Sequence, residues 1–272
     1  MVWDGAIGSI SEAHIWTNRP VWPQGVVKQL PQQPTPDTMD WDLWLGTAPE
    51  RPYNKDYAPF NWRGWWDFGC GALGDMGCHI MDPANWALRL GTPISIECLK
   101  QEFKNDQTGP SKSIIKYEFP ARYGLKPVTV YWYDGGIKPP RPAGAGPDVK
   151  LGDGSNGSYF VGEKGVLTTG EYGGGTRFVS EEMNKNYTQP SKIIPRSLGH
   201  TVDWIQACKG GVAACSNFDY AGPFSEVIVL GNLALRCKGK LLWDAEKMEV
   251  TNNRAANEFV TKKYRKGWGL DM

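Results

Sequence analysis

Asp75 and His79 are the two residues of this chain whose types and spacing best suit proton transfer. They lie in Gly71–Leu90, where apolar residues recur with helical spacing and Gly91 follows as a C-cap. At about 100° per residue, positions four apart fall within about 40° of each other, one turn apart on one face. Leu73, Met76 and Ile80 project from the opposite side, toward a core. A carboxylate held there can orient an imidazole and raise its pKa, and the ring can then give or take a proton. The same spacing also produces an ordinary structural pair, and spacing alone weighs the two readings evenly. Asp82-Pro83 reads as the cap of a second helical segment, since Asp suits N-cap and Pro suits N1.

The glycines before this helix invite a different reading. Gly69-Cys70-Gly71-Ala72-Leu73-Gly74 has the letters of G-x-G-x-x-G, with a helix, a strand at Ile94–Ile96 and Glu97 downstream. A dinucleotide fingerprint needs a buried strand before its glycines, and Asn61-Trp62-Arg63-Gly64-Trp65-Trp66-Asp67-Phe68 is not one. No second βαβ unit follows. The motif is therefore set aside as a cofactor site.

Arg19, Trp22, Trp62, Arg63, Trp65 and Trp66 lie on loops flanking the helix and are the candidate substrate-binding residues. Arg donates in pairs to hydroxyls or a carboxylate, and Trp stacks on the apolar face of a sugar ring. Each of them, taken singly, reads more readily as loop packing. His14, alone on a strand, reads as locally satisfied, and His200 with Asp203 as a structural pair. No spacing among the three His residues resembles a metal motif, so no metal site is expected.

These residues must be positioned by a mixed set of elements. Ile10–Trp16 alternates as a strand with Ile10, Glu12, His14 and Trp16 on one face. Thr17–Pro59, rich in Pro, Trp and Gln, reads as a long ordered loop with a short helix at Trp41–Leu45. Strands are expected at Ile94–Phe103, Ser113–Phe119 and Val128–Tyr133, then a Gly/Pro-rich loop from Gly135 to Gly157. A hairpin follows over Tyr159–Leu167, with a short strand at Arg177–Val179. Helices at His200–Cys208 and Phe224–Cys237, a strand at Leu241–Trp243 and a solvated basic tail complete the chain. Strands in runs rather than alternating with helices indicate an α+β fold with a mostly antiparallel sheet.

Composition narrows the function. The chain has 272 residues, 40% hydrophobic and 22% charged, an ordinary balance for a protein with a sizeable core. Its net charge of +1 gives no basic face for nucleic acid. No apolar run is long enough to span a membrane. Met1-Val2-Trp3-Asp4-Gly5 has neither region of a signal peptide, so the compartment is cytosolic by default or set by a segment not in this chain. The six cysteines form no CxxC pair and read as buried free thiols. Thirteen Trp residues are far more than usual, suiting interfaces and sugar rings alike.

The run Gly71-Ala72-Leu73-Gly74-Asp75-Met76-Gly77-Cys78-His79-Ile80-Met81-Asp82 resembles the G-x-x-x-D-x-G-x-H motif of the Gfo/Idh/MocA oxidoreductases. Thr17–Gly25, Asn61–Gly69, Phe160–Gly165 and Tyr264–Trp268 are similar to segments of one subgroup of that family. The resemblance covers most of the chain but only the C-terminal two-thirds of a family member. It implies a large open sheet with helices on one face, the other face serving homo-oligomer formation. It implies that Asp75 and His79 lie beside the nicotinamide and a sugar hydroxyl. It implies NAD or NADP in full-length relatives, bound by an N-terminal domain that also carries a Glu-Lys-Pro lysine. This sequence contains no Glu-Lys-Pro; Glu163-Lys164-Gly165 is a hairpin turn. The expectation is a single substrate-binding and oligomerisation domain over residues 1–272, taking a small carbohydrate, with no cofactor bound by this chain alone. Two alternatives stand beside it: a stand-alone glycoside hydrolase using Asp75 and His79 without nicotinamide, and a non-catalytic carbohydrate-binding or oligomerisation module.

Overall fold

The computed structural model describes residues 1–26 and 28–269. Its strands are β1 (Ile10–Trp16), β2 (Ser95–Glu102), β3 (Lys112–Phe119), β4 (Val128–Tyr133), β5 (Gly157–Gly162), β6 (Gly165–Thr169), β7 (Arg177–Phe178), β8 (Leu241–Asp244) and β9 (Glu249–Val250). Its helices are α1 (Trp41–Leu45), α2 (Gly71–Ile80), α3 (Asp82–Leu88), α4 (Glu181–Asn186), α5 (His200–Cys208) and α6 (Phe218–Arg236). One open sheet runs β7-β6-β5-β1-β4-β3-β2-β8-β9. Only the central β1–β4 pair is parallel. The fold is α+β with a mostly antiparallel, unclosed sheet.

The period-2 pattern builds this sheet directly. Ile115, Tyr117 and Phe119 of β3 and Val130 and Trp132 of β4 are buried on one face, beneath α2, α3 and α6. The intervening Lys116, Glu118 and Tyr131 are half-buried on the other face. That face keeps a second, smaller apolar cluster, Trp16, Tyr133, Tyr159 and Val166, covered by Ile137, Ala145, Val149 and Leu151 of the Gly135–Gly157 loop. α6 approaches the sheet closely because Gly231 has no side chain. A Cβ there would lie 2.0 Å from the Tyr117 hydroxyl and 2.4 Å from Leu73 Cδ2.

Several sequence expectations need correction. Ile10 does not share a face with Glu12, His14 and Trp16: the register shifts between Ile10 and Glu12, so Ile10 joins the helix-side core. Asp82 is not an N-cap; it is the first residue of α3, which follows α2 after Met81, and its carboxylate accepts from the Tyr220 hydroxyl instead. The helical stretch ends at Arg89, whose φ of 48° turns the chain, before Gly91 is reached. α6 begins earlier than Phe224 because the Asn217 side chain accepts from Asp219 N at 3.0 Å and caps it. The cysteines are free but not buried: Cys70, Cys78, Cys208 and Cys215 are exposed, and Cys98 and Cys237 half-buried. The basic tail is not simply solvated. Arg265 pairs with Asp42 and donates to the carbonyl of Gly46, drawing the tail across α1.

Among the described residues no helix is long and apolar enough to cross a membrane.

Candidate functional site

The geometry begins with Gln24. Its Oε1 accepts from Ala72 N at 3.0 Å and from Trp22 Nε1 at 2.8 Å, while its Nε2 donates to Pro110 O at 2.7 Å. One side chain thus caps the start of α2 and ties it to the loop carrying Arg19 and Trp22. The glycine run fits this role and no other. It enters α2 from a loop rather than a strand, Gly69 lies against the Arg63 backbone, and Gly71 lies against Gln24. With a first-turn amide already capped from within, these residues do not form a pyrophosphate cradle. The glycine run is therefore a poor fit for a dinucleotide's pyrophosphate.

Asp75 and His79 emerge on the outward face of α2, one turn apart as the periodicity requires, with Asp75 half-buried and His79 exposed. They do not bond to each other: among the described residues no hydrogen bond joins them. Arg63 takes the carboxylate, its Nε lying 3.2 Å from Asp75 Oδ1. A charge-assisted bond to the guanidinium holds the carboxylate on this side. Arg63 itself is held firmly. Its Nη1 donates to Phe60 O at 3.1 Å, and the guanidinium lies 4.6 Å from the Phe60 ring centre, 4.7 Å from Trp62 and 5.9 Å from Trp22. Aromatic faces around the cation hold it in place and so fix the carboxylate.

His79 finds a different neighbour. The ring of Tyr172 meets it edge-on, with centroids 5.3 Å apart and planes at 78°. Tyr172 stands on the turn Gly170–Gly175, which is tethered by its neighbours: Glu171 N donates to Asp153 Oδ2 at 2.7 Å, and Asn156 Nδ2 donates to Glu171 Oε2 at 3.0 Å. The Asn156 Oδ1 in turn accepts from Thr17 Oγ1 at 2.8 Å and Asn18 N at 3.1 Å. Asn156 therefore fastens the Arg19 loop and the Tyr172 loop to one point beside α2. Glu171 pushes the Tyr172 hydroxyl up, and the charges of Arg19 and Asp75 also reach it. Arg19 donates to Asn18 Oδ1 at 2.6 Å and forms no ion pair among the described residues. Neighbouring protein atoms partly desolvate the Cys70 and Cys78 thiols and raise both, Cys78 further through Asp75, so neither is a thiolate nucleophile at neutral pH.

The sequence-predicted residues thus divide. Arg63, Trp62 and Trp22 gather at Asp75, and Arg19 stands near Tyr172. Trp22 is buried with its N–H bonded to Gln24, so it supports Arg63 rather than offering a free face. Trp65 is only 1% exposed, packed edge-on against Tyr57 at 4.8 Å, and offers no face to a ligand. Trp66 turns away toward the end of α6, 5.5 Å from the Arg236 guanidinium. His14 is satisfied locally: Tyr133 and Glu12 bond its two nitrogens at 2.9 and 3.0 Å, and burial lowers its pKa. Asp203 bonds Ser197 Oγ at 2.7 Å rather than His200. Sequence reasoning passed over Gln24, Phe60, Asn156, Glu171 and Tyr172. Only Tyr172 carried a signal, a lone aromatic inside a glycine-rich turn after a hairpin.

Comparison with known families places the same residues in context. Residues 9–123 match the family model described as the oxidoreductase family, C-terminal alpha/beta domain, of the Gfo/Idh/MocA group. The match spans Arg19, Trp22, the Arg63 clamp, Asp75 and His79. No curated protein matches the chain. The matched segment builds the sheet's first three strands and the helix bearing Asp75 and His79, and it is similar to the C-terminal alpha/beta domain of that oxidoreductase family.

Proposed function

We propose that this chain supplies the substrate side of an NAD(P)-linked oxidoreductase acting on a sugar or sugar derivative, and that it does not transfer hydride alone. The observation that carries the reading is the placement of His79 at the rim formed by α2, the Arg19 loop and the Tyr172 turn, with Asp75 fixed by Arg63 one helical turn away. An exposed imidazole in that place can take the proton of a substrate hydroxyl. The anchored carboxylate one turn away stabilises the imidazolium that results. Arg19 and the Tyr172 hydroxyl supply donors at the rim, which suits a polyhydroxylated ligand. A dinucleotide bound by a separate nucleotide domain would accept the hydride. The half-buried Lys116, Glu118 and Tyr131 of the helix-free sheet face suit pairing of two copies of the chain, which sedimentation analysis tests directly.

The site is tested by titrating methyl pyranosides and myo-inositol while following the His79 imidazole by NMR. Saturable His79 shifts that Asp75→Asn abolishes, with calorimetric binding lost in both Asp75→Asn and His79→Ala, are the expected result. Tight NAD(H) binding by this chain overturns the claim that the dinucleotide site lies elsewhere. Cofactor-free turnover of chromogenic glycosides, lost in the same variants, replaces the proposal with the hydrolase reading.

A further inference from the structure

Beside the Arg63 clamp lies a cleft of about 390 Å³ that the Asp75–His79 site does not use. Trp44, Trp62 and Phe68 contribute to its lining, together with Asp67 and Lys262. Trp62 belongs to both places, since its ring also carries the Arg63 guanidinium. We infer that this cleft is a second pyranose subsite, so that the substrate class is a glycoside with one ring at His79 and a further ring against Trp44. The inference rests on the proposed sugar site, and its test separates the two.

Four observations support it. The cleft has the size of a small-ligand pocket, in the range of roughly 300–1,000 Å³. Trp44 is held rigidly: Trp41 stacks on it at 4.7 Å and 13°, and Phe68 meets it edge-on at 4.8 Å. It nevertheless stays half-exposed, and its Nε1–H donates to nothing among the described residues. A locked indole with an accessible surface and an unused donor suits the apolar face and rim hydroxyls of a sugar ring. The polar groups fit as well. Asp67 gives one carboxylate oxygen to Arg51, leaving Oδ1 to accept from hydroxyls, and exposed Lys262 makes one bond, to Asp67 O at 3.3 Å. Aromatic rings flanked by a carboxylate and an ammonium match a neutral polyol better than a hydrocarbon or a phosphate. Finally, α1, the loop bearing Trp62 and the C-terminal tail are bound together by Arg265 and Lys262, so the walls are fixed before any ligand arrives.

The experiment compares binding of methyl pyranosides with that of their 1,4-linked disaccharides, following His79 and the Trp44 indole separately by NMR. The expected result is tighter disaccharide binding, with both signals moving. Trp44→Ala should weaken the disaccharide by about tenfold and leave the monosaccharide unchanged, the size expected for loss of one aromatic stack. Lys262→Ala, at an exposed position, should weaken the disaccharide alone by a smaller factor and serves if Trp44→Ala is poorly folded. Equal affinity for one and two rings, with His79 still responding, overturns the subsite and leaves the sugar site standing. Disaccharide binding that moves Trp44 and not His79 supports the cleft and overturns the sugar reading at His79. No binding of either kind overturns both.

Discussion

Asp134 should make this fold less stable as pH rises from about 4 to about 6, and Asp134→Asn should remove the effect. The carboxyl follows β4 and is buried, 3% exposed. Its Oδ2 accepts from Trp132 Nε1 at 2.9 Å and Ser113 Oγ at 2.8 Å, and its Oδ1 is buried with no partner. Burial raises its pKa from 3.8 to about 6, against the smaller lowering effect of those two bonds. A group whose folded pKa is raised contributes its stability fully below the unfolded value and loses it as pH climbs through the folded one. The stake over that window, from about 4 to about 6, is about 3 kcal/mol. Asparagine keeps a carbonyl for Trp132 and Ser113 and cannot ionise. Urea unfolding followed by Trp fluorescence at pH steps from 3 to 8 should show the variant gaining on the parent by about 3 kcal/mol, with m unchanged. Carbon-detected titration of the Asp134 carboxyl should give a midpoint near 6. A difference between variant and parent that stays flat across this range would falsify the assignment of a raised pKa to burial.

Three further outcomes follow from the packing. Gly231→Ala places a methyl group within 2.0 Å of the Tyr117 hydroxyl and should cost about 1–3 kcal/mol in denaturant unfolding; an unchanged midpoint argues against the close approach of α6. Gln24→Ala strands Ala72 N and Trp22 Nε1 and should cost about 1–3 kcal/mol, with faster amide exchange in the first turn of α2 than in α6. Glu118 is held down to about 2 by Lys116, then Lys240 and Ser95. Its stabilisation is present above the usual carboxylate value of 4.5 and lost as pH falls toward 2. Because the half-buried side chain still reaches solvent, Glu118→Gln should cost no more than about 1 kcal/mol at pH 7, an effect that vanishes below pH 2 and shrinks with added salt.

Much of the fold was legible in the residues. Alternation in Ser113–Phe119 and Val128–Tyr133 marks strands with one buried face, because side chains of a strand point to opposite sides and only one side meets the helices. The letters of Gly69–Gly74 were rejected as a cofactor motif by local context alone, and Asp75 and His79 fell on one helical face because 3.6-residue geometry is a local property. The family-like motif around them needed no coordinates.

What the chain could not show from its sequence is which groups meet across long separations. The carboxylate of Asp75 went to Arg63 rather than to His79, since three aromatic rings from two loops hold the guanidinium there. Trp65 and Trp66, adjacent to Trp62 in sequence, were turned into the core and toward α6 by the 3-10 turn Asn61–Gly64 and the pairing of Trp65 with Thr108. Tyr172 reached His79 because Asn156 knots two loops together from across the sheet. Local periodicity sets which face a side chain leaves its own element by; only the packing of distant loops decides what stands opposite it.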